Sequence, residues 1–287
     1  MATRSTRMRV RRIGLSITLL LLTAGSVQAA AEAPGEIINT EGKSFKGVIR
    51  WKALTKVYIV KSSTGAAGGN AAIELEVPLA TVKAIAVAEP AEYRPAVQLF
   101  RENKFPLAIA ALDKLVQEYA MLQWDVPATR WLAEAYLRDG KPDPAVRACE
   151  RVIDKRPELA LGGEVAPAYW QALLSAGRNN KLEDLLVAAA KSGMADGQAR
   201  ANILRGELLR KQNKSKDALR DGYLRTVVLF KGWPQPLVRE ARAEALFKAA
   251  QCFDDLGQIA PATKMRTICM NEHPESDWAR RLKSGDR

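Results

Sequence analysis

One recurring turn constrains this chain more than any other feature. Asn103, Gly140, Gly177, Asn213 and Gly257 follow one another at spacings of 37, 37, 36 and 44 residues. Gly and Asn tolerate the left-handed backbone conformation that closes a helix. Four residues before each stands a large apolar side chain: Leu99, Tyr136, Leu173, Leu209 and Phe253. Five residues after each stands Ala108, Ala145, Leu182, Ala218 or Ala262. The alanines are small enough to let two antiparallel helices approach closely. Each unit therefore reads as helix, tight turn, helix. A period in this range points to a stacked array whose units bury a core only against their neighbours.

The most regular unit runs Leu132-Ala133-x-x-Tyr136-x-x-x-Gly140-x-x-x-x-Ala145-x-x-x-Cys149-x-x-Val152-x-x-x-x-Pro157. It resembles the tetratricopeptide repeat (TPR), with Cys149 in place of the usual aromatic residue. Ala250, Phe253, Gly257, Ala262, Cys269 and Pro274 repeat the pattern in the last unit. The remaining units depart further: Leu182 stands where Ala is usual, and Asn103 and Asn213 where Gly is usual. The 37-residue spacing also exceeds the family's usual period. The resemblance spans roughly residues 90 to 282. It implies a mainly α protein, a TPR-like α-solenoid of helical hairpins that binds a protein segment on its concave face. In this register that face comprises Tyr93, Val97, Phe100, Arg101, Arg130, Glu134, Arg138, Gln171, Ser175, Glu207, Arg210 and Lys211. The Lys/Asn/Arg arrangement with which some family members clamp a peptide carboxylate is not reproduced. The ending His273-Pro274-Glu275-Ser276-Asp277-Trp278-Ala279 resembles the Tyr-Pro-x-Ser-x-x-Ala link of envelope TPR proteins, with His273 replacing Tyr.

Before the array the period is two. Phe45, Gly47, Ile49 and Trp51 alternate with Lys46, Val48, Arg50 and Lys52, giving one largely apolar and one mainly basic face. Val57 to Val60, Ile73 to Val77 and Val82 to Val87 supply further strands, and Ser62 to Asn70 reads as a Gly/Ser/Ala-rich loop. Four or five short strands predict a small barrel, since closure removes exposed edges. The stretches Thr40 to Ile49, Val57 to Val60 and Ile73 to Ile85 resemble an SH3-like or Sm-like β-domain. Gly42-Lys43-Ser44 imitates the tail of a phosphate-binding loop, but Ile37 occupies the place of its first Gly. The expected organisation is a signal peptide over 1–31, a small all-β domain over 32–89, the helical repeats over 90–283 and a tail over 284–287.

The signal is read from a basic stretch, Arg4 to Arg12, before the apolar run Ile13 to Leu22 and the small residues Ala29, Ala30 and Ala31. That run is too short to span a membrane comfortably. Export to the periplasm or beyond follows as the expectation. The net charge is +12, and removing the five N-terminal arginines leaves +7. A moderately basic chain suits an acidic partner without demanding one. Cys149, Cys252 and Cys269 are too few and odd for a disulfide framework; they read as buried thiols, with at most one bridge, Cys252 to Cys269, as the alternative. His273, the single histidine, lies in a turn beside Pro274 and reads as a surface residue. One histidine and scattered cysteines cannot make the usual zinc sites, and Ser/His/Asp or Cys/His catalysis would both depend on His273, a turn residue. No catalytic residue, metal, cofactor or small-molecule substrate is therefore assigned. Trp131, Tyr136, Tyr169 and Trp170 read as packing residues. The basic run from Arg200 to Arg220 reads either as a solvated helix surface or as an acidic-partner site, and Gly232-Trp233-Pro234-Gln235-Pro236 either as a partner contact or a packed connection. Together these features predict an envelope scaffold that binds a protein partner. The alternative is binding of an anionic polymer, polysaccharide or nucleic acid, through the basic β-face.

Overall fold

The computed structural model describes residues 31 to 63 and 72 to 285. The export segment up to residue 30 and most of the Gly/Ser/Ala-rich loop lie outside the described residues.

Among the described residues, five strands come first: β1 (Ala33–Asn39), β2 (Ser44–Lys52), β3 (Val57–Ser63), β4 (Ala72–Pro78) and β5 (Val82–Val87). They form one antiparallel sheet in the order β4-β3-β2-β1-β5. The outermost strands β4 and β5 are joined only by the short 3-10 turn Leu79–Thr81. A flat five-stranded sheet would hold its edges about 19 Å apart, more than the roughly 15 Å that four peptide units can span. The sheet must therefore coil on itself. Gly35 and Gly47 pair across β1 and β2, and they permit the bend. A Cβ at Gly47 would stand 2.3 Å from the Lys61 carbonyl oxygen, and one at Gly35 would stand 2.4 Å from that of Ala86.

The coil does not close into the expected barrel, because β4 and β5 are not hydrogen-bonded to each other. The helical array supplies the missing wall. Met121 and Leu122 are buried in one core with Ile37, Ile49, Tyr58, Val60 and Val77. The Tyr58 hydroxyl donates to the Met121 carbonyl at 2.8 Å, Trp124 Nε1 donates to the Val87 carbonyl at 2.9 Å, and the Ala31 amide donates to the Glu118 carbonyl at 2.8 Å. Burial pushes the Tyr58 hydroxyl up to about 12.

The array contains five helical hairpins: α1 (Tyr93–Arg101) with α2 (Phe105–Glu118), α3 (Asp125–Arg138) with α4 (Pro142–Ile153), α5 (Val165–Ser175) with α6 (Asn179–Lys191), α7 (Ala195–Lys211) with α8 (Ser215–Ala218) and α9 (Leu224–Leu229), and α10 (Pro236–Asp255) with α11 (Ile259–Glu272). A final helix, α12 (Asp277–Lys283), covers the end. All five turn residues have positive φ, from +59° at Asn103 to +71° at Gly140 and Gly257. At each turn the next residue's amide reaches back to the carbonyl of the apolar residue: Lys104 to Leu99, Lys141 to Tyr136, Arg178 to Leu173, Lys214 to Leu209 and Gln258 to Phe253, all at 2.8–2.9 Å. This is the Schellman closure. Ala108, Ala145, Leu182, Ala218 and Ala262 are completely buried.

The fourth hairpin explains the long last spacing. Its second helix is interrupted by a π turn, Leu219–Tyr223, and the connection around Trp233 follows. Trp233 is partly exposed, edge-on to the buried Phe230 at 5.6 Å. The three cysteines are buried free thiols, and burial raises Cys149 to about 12. The surface placement expected for His273 is corrected: it is 7% exposed. Its Nε2 lies 2.9 Å from Nη1 of buried Arg242, which also donates to the Val227 carbonyl at 3.0 Å. No helix among the described residues is long and apolar enough to cross a membrane.

Candidate functional site

The first helices of the hairpins share one side of the array. α3 packs on α1 and α5, and α7 packs on α10. α5 and α7 make no comparable contact. Between them opens a cleft of about 200 Å³, lined by Pro167, Trp170, Gln171, Arg200, Ile203, Leu204, Glu207, Glu244 and Lys248.

Charges of both signs line this cleft. Arg200 pairs with Glu244 at 3.4 Å, Lys248 pairs with Glu244 at 2.8 Å, and Lys248 also meets Glu207. Burial raises the Glu244 carboxyl above its ordinary range. It pushes the Lys248 ammonium down to about 8, with Arg200 and Arg281 adding repulsion. Trp278 and Phe247 stack behind Lys248, with the Arg281 guanidinium 5.2 Å and 5.1 Å from their rings. Trp170 is 1% exposed and is anchored by its indole N–H on the Ala160 carbonyl at 2.9 Å. The site offers cationic and anionic groups plus the Gln171 amide over an apolar floor. Such a set suits a peptide segment with its own alternating dipoles.

The sequence-derived residues fall into three groups. Gln171 and Glu207 line the cleft, from opposite walls. Tyr93, Phe100, Arg130 and Glu134 form a second cluster at the other end of the array. There the Trp131 indole donates to the Tyr93 hydroxyl at 3.1 Å, Phe100 stacks on Trp131 at 5.1 Å, and Arg130 lies over Trp131 while pairing with Glu134 at 3.0 Å. The rest line neither, although Ser175 Oγ accepts from Gln171 Nε2 at 3.5 Å. Val97 is buried, Arg210 is paired with Asp255 at 2.5 Å, and Arg101, Arg138, Ser175 and Lys211 are exposed. Glu244 and Lys248 belong to α10, beyond Lys211, the last residue of the face expected from the sequence. A signal was present, since Arg200 and Glu244 each stand 13 residues before their turn residues, Asn213 and Gly257.

The mainly basic face of β2 is present, but its charges are paired. Glutamates from the neighbouring strands and from Glu32 neutralise it: Lys46 meets Glu36, Arg50 meets Glu32 and Glu74, Lys52 meets Glu76, and Lys61 meets Glu32 and Glu74, all within 3.0–3.9 Å. Cross-strand neighbours of opposite charge stabilise a sheet, and paired charges of this kind leave little net attraction for a polyanion.

A family model for the tetratricopeptide repeat matches residues 130–158, the unit closed by Gly140. No curated protein matches the chain in sequence. Among solved structures, the chain is similar to a thermophilic TPR protein of Thermus thermophilus (18% identity, 69% of this chain and 98% of that one, TM-score 0.42). It is also similar to nearly identical TPR-like repeats from Podosopora anserina (15% identity, 64% and 95%, TM-score 0.43), and to YrrB, a TPR protein with an unusual peptide-binding site (15% identity, 67% and 90%, TM-score 0.34). The architecture is mainly α, a TPR-like solenoid preceded by an open antiparallel sheet.

Proposed function

We propose that this chain is an exported scaffold of the cell envelope, holding an extended segment of a protein partner in the cleft between α5 and α7. The observation that carries the reading is the charge arrangement there: Arg200, Glu207, Glu244 and Lys248 converge with Gln171 over Trp170 where the first helices part. A half-buried pair of ions is costly to strip of water unless hydrogen bonds replace it, and a peptide backbone supplies both donors and acceptors. The basic stretch and apolar run preceding the first strand support the export part of the proposal.

The test is a photo-crosslinking amino acid placed at Gln171 in the native envelope, compared with one at exposed Lys264 on α11. A reproducible protein adduct from position 171, weakened by Lys248→Ala and not seen from position 264, is the expected result. Equal labelling from both positions, or none from 171, overturns the reading. Export is checked separately by sequencing the N-terminus of the mature chain; an intact Arg4-to-Arg12 stretch contradicts it.

A further inference from the structure

The second-helix side of the array carries another groove, distinct from the cleft above. It lies between α6 and α7, is bounded by Arg225 of α9, and encloses about 550 Å³. Leu186, Val187 and Leu208 contribute its apolar wall, while Lys191, Arg205 and Arg225 stand at its rim. Glu183 is the one carboxylate lining it. Beyond Arg225 the apolar surface continues onto α9, where Val228 is 71% and Leu229 57% exposed; Val187, in the groove itself, is 53% exposed. Exposed branched apolar residues grouped this way mark contact surfaces more often than solvated ones.

The charges select the occupant. Lys191, Arg205 and Arg225 have no ion-pair partner among the described residues. Asp221 is held by Arg220 at 2.7 Å, and the nearby Arg205 and Arg225 add to the lowering of its pKa. Three cations against Glu183 in the lining and Asp221 nearby leave the rim with a net positive charge above an apolar trough, unlike the balanced cleft between α5 and α7. We propose that this groove docks an amphipathic helix of a partner protein, with leucine-type residues on the buried face and carboxylates on the flanks. That is the helix-in-groove mode of recognition, with electrostatic complementarity fixing the orientation. A flat bilayer satisfies the geometry less well, because Leu186 is only 6% exposed and is reached from within the groove.

The probe is a labelled helical peptide of about 18 residues, roughly 27 Å long, carrying Leu at i, i+3, i+4 and i+7 and Glu elsewhere. It is titrated against the mature chain by fluorescence anisotropy. Binding is expected to weaken with rising salt, to fall about tenfold or more in Arg205→Glu/Arg225→Glu, to fall likewise in Val187→Asp, and to be untouched by Lys248→Ala. All substituted groove residues are exposed, and unchanged melting curves confirm that the variants are folded. Several outcomes overturn the proposal: equal binding to the charge-reversed variant, equal binding of a peptide with Lys in place of Glu, or anionic phosphatidylglycerol vesicles bound in preference to the peptide. Sedimentation showing a dimer that Arg225→Glu dissolves also overturns it, because the groove then belongs to a second copy. Since Lys248→Ala separates the two sites, failure here leaves the cleft proposal standing.

Discussion

Gly140 has φ +71°, and a Cβ added there would meet nothing within 4 Å. The cost of a side chain at this position is therefore conformational and not steric crowding. Gly140→Val should destabilise the protein by about 1–3 kcal/mol, the penalty of a β-branched residue held left-handed. Gly140→Asn should be far milder, since Asn103 and Asn213 hold the same conformation at equivalent turns. Paired thermal melts decide the matter, and equal losses for Val and Asn would contradict a backbone origin. His273 gives a second expectation. Burial, then Arg242 and Arg239, lowers its pKa below the ordinary 6.5, against a smaller opposing effect of Glu272. The unfolded chain thus takes up the proton first. Stability is fully present above about 6.5 and is lost as pH falls from there toward the folded pKa. Melting temperatures between about pH 7.5 and 5.5 should drop for the natural chain and drop less for His273→Gln. The turn residues were legible in the sequence because their requirement is local. The burial of His273 was not, because the group that covers it, Arg242, is 31 residues away.

The π turn in the fourth hairpin shows what an element takes from its neighbours. Gly222 lies so close to α7 that an added Cβ would stand 2.5 Å from the Gly206 Cα, while one at Gly206 would strike the Tyr223 ring at 2.7 Å. Two glycines facing each other let the backbones approach closely, and overfilling such a contact costs about 1–3 kcal/mol. Gly222→Ala should lower the urea midpoint by a corresponding amount without altering the slope of the transition. The irregular 44-residue spacing announced that something differed here, but the π turn depends on Gly206 across the interface and has no local signature. Strand β1 was illegible for the opposite reason. Pro34-Gly35 imitates a loop, yet Gly35 lies in the strand because its lack of a side chain lets β5 come close. Strands β2 and β4 were legible from alternation, and β3 from its β-branched and aromatic run Val57 to Val60. Of the cleft, Gln171 and Glu207 followed from the repeat register, while its pairing with α10 required knowing that α5 and α7 part.

For the molecule as a whole, the sheet and the array are bound through one core. Leu122 is completely buried within it, so Leu122→Ala should cost about 2–5 kcal/mol. Tyr58→Phe leaves the Met121 carbonyl without its buried donor and should cost about 1–3 kcal/mol. In both variants, sheet and helix signals should be lost in the same transition, at a lower temperature; a separate early melt of the β-domain would contradict the shared core. Met121 and Gln123 hold positive φ values of 65° and 73°, and Asp125, 1% exposed, accepts the Met121 amide at 2.8 Å while meeting Arg156. The segment that completes the sheet is thus itself anchored by a residue on the far side of the second hairpin. That dependence has a consequence in time. A chain emerging from a ribosome or a translocation channel delivers all five strands by residue 87, yet Met121 and Leu122 arrive 34 and 35 residues later, and Arg156 later again. Through that interval the growing sheet presents an unfinished apolar hollow, so the β-domain matures by waiting for the first helical hairpins.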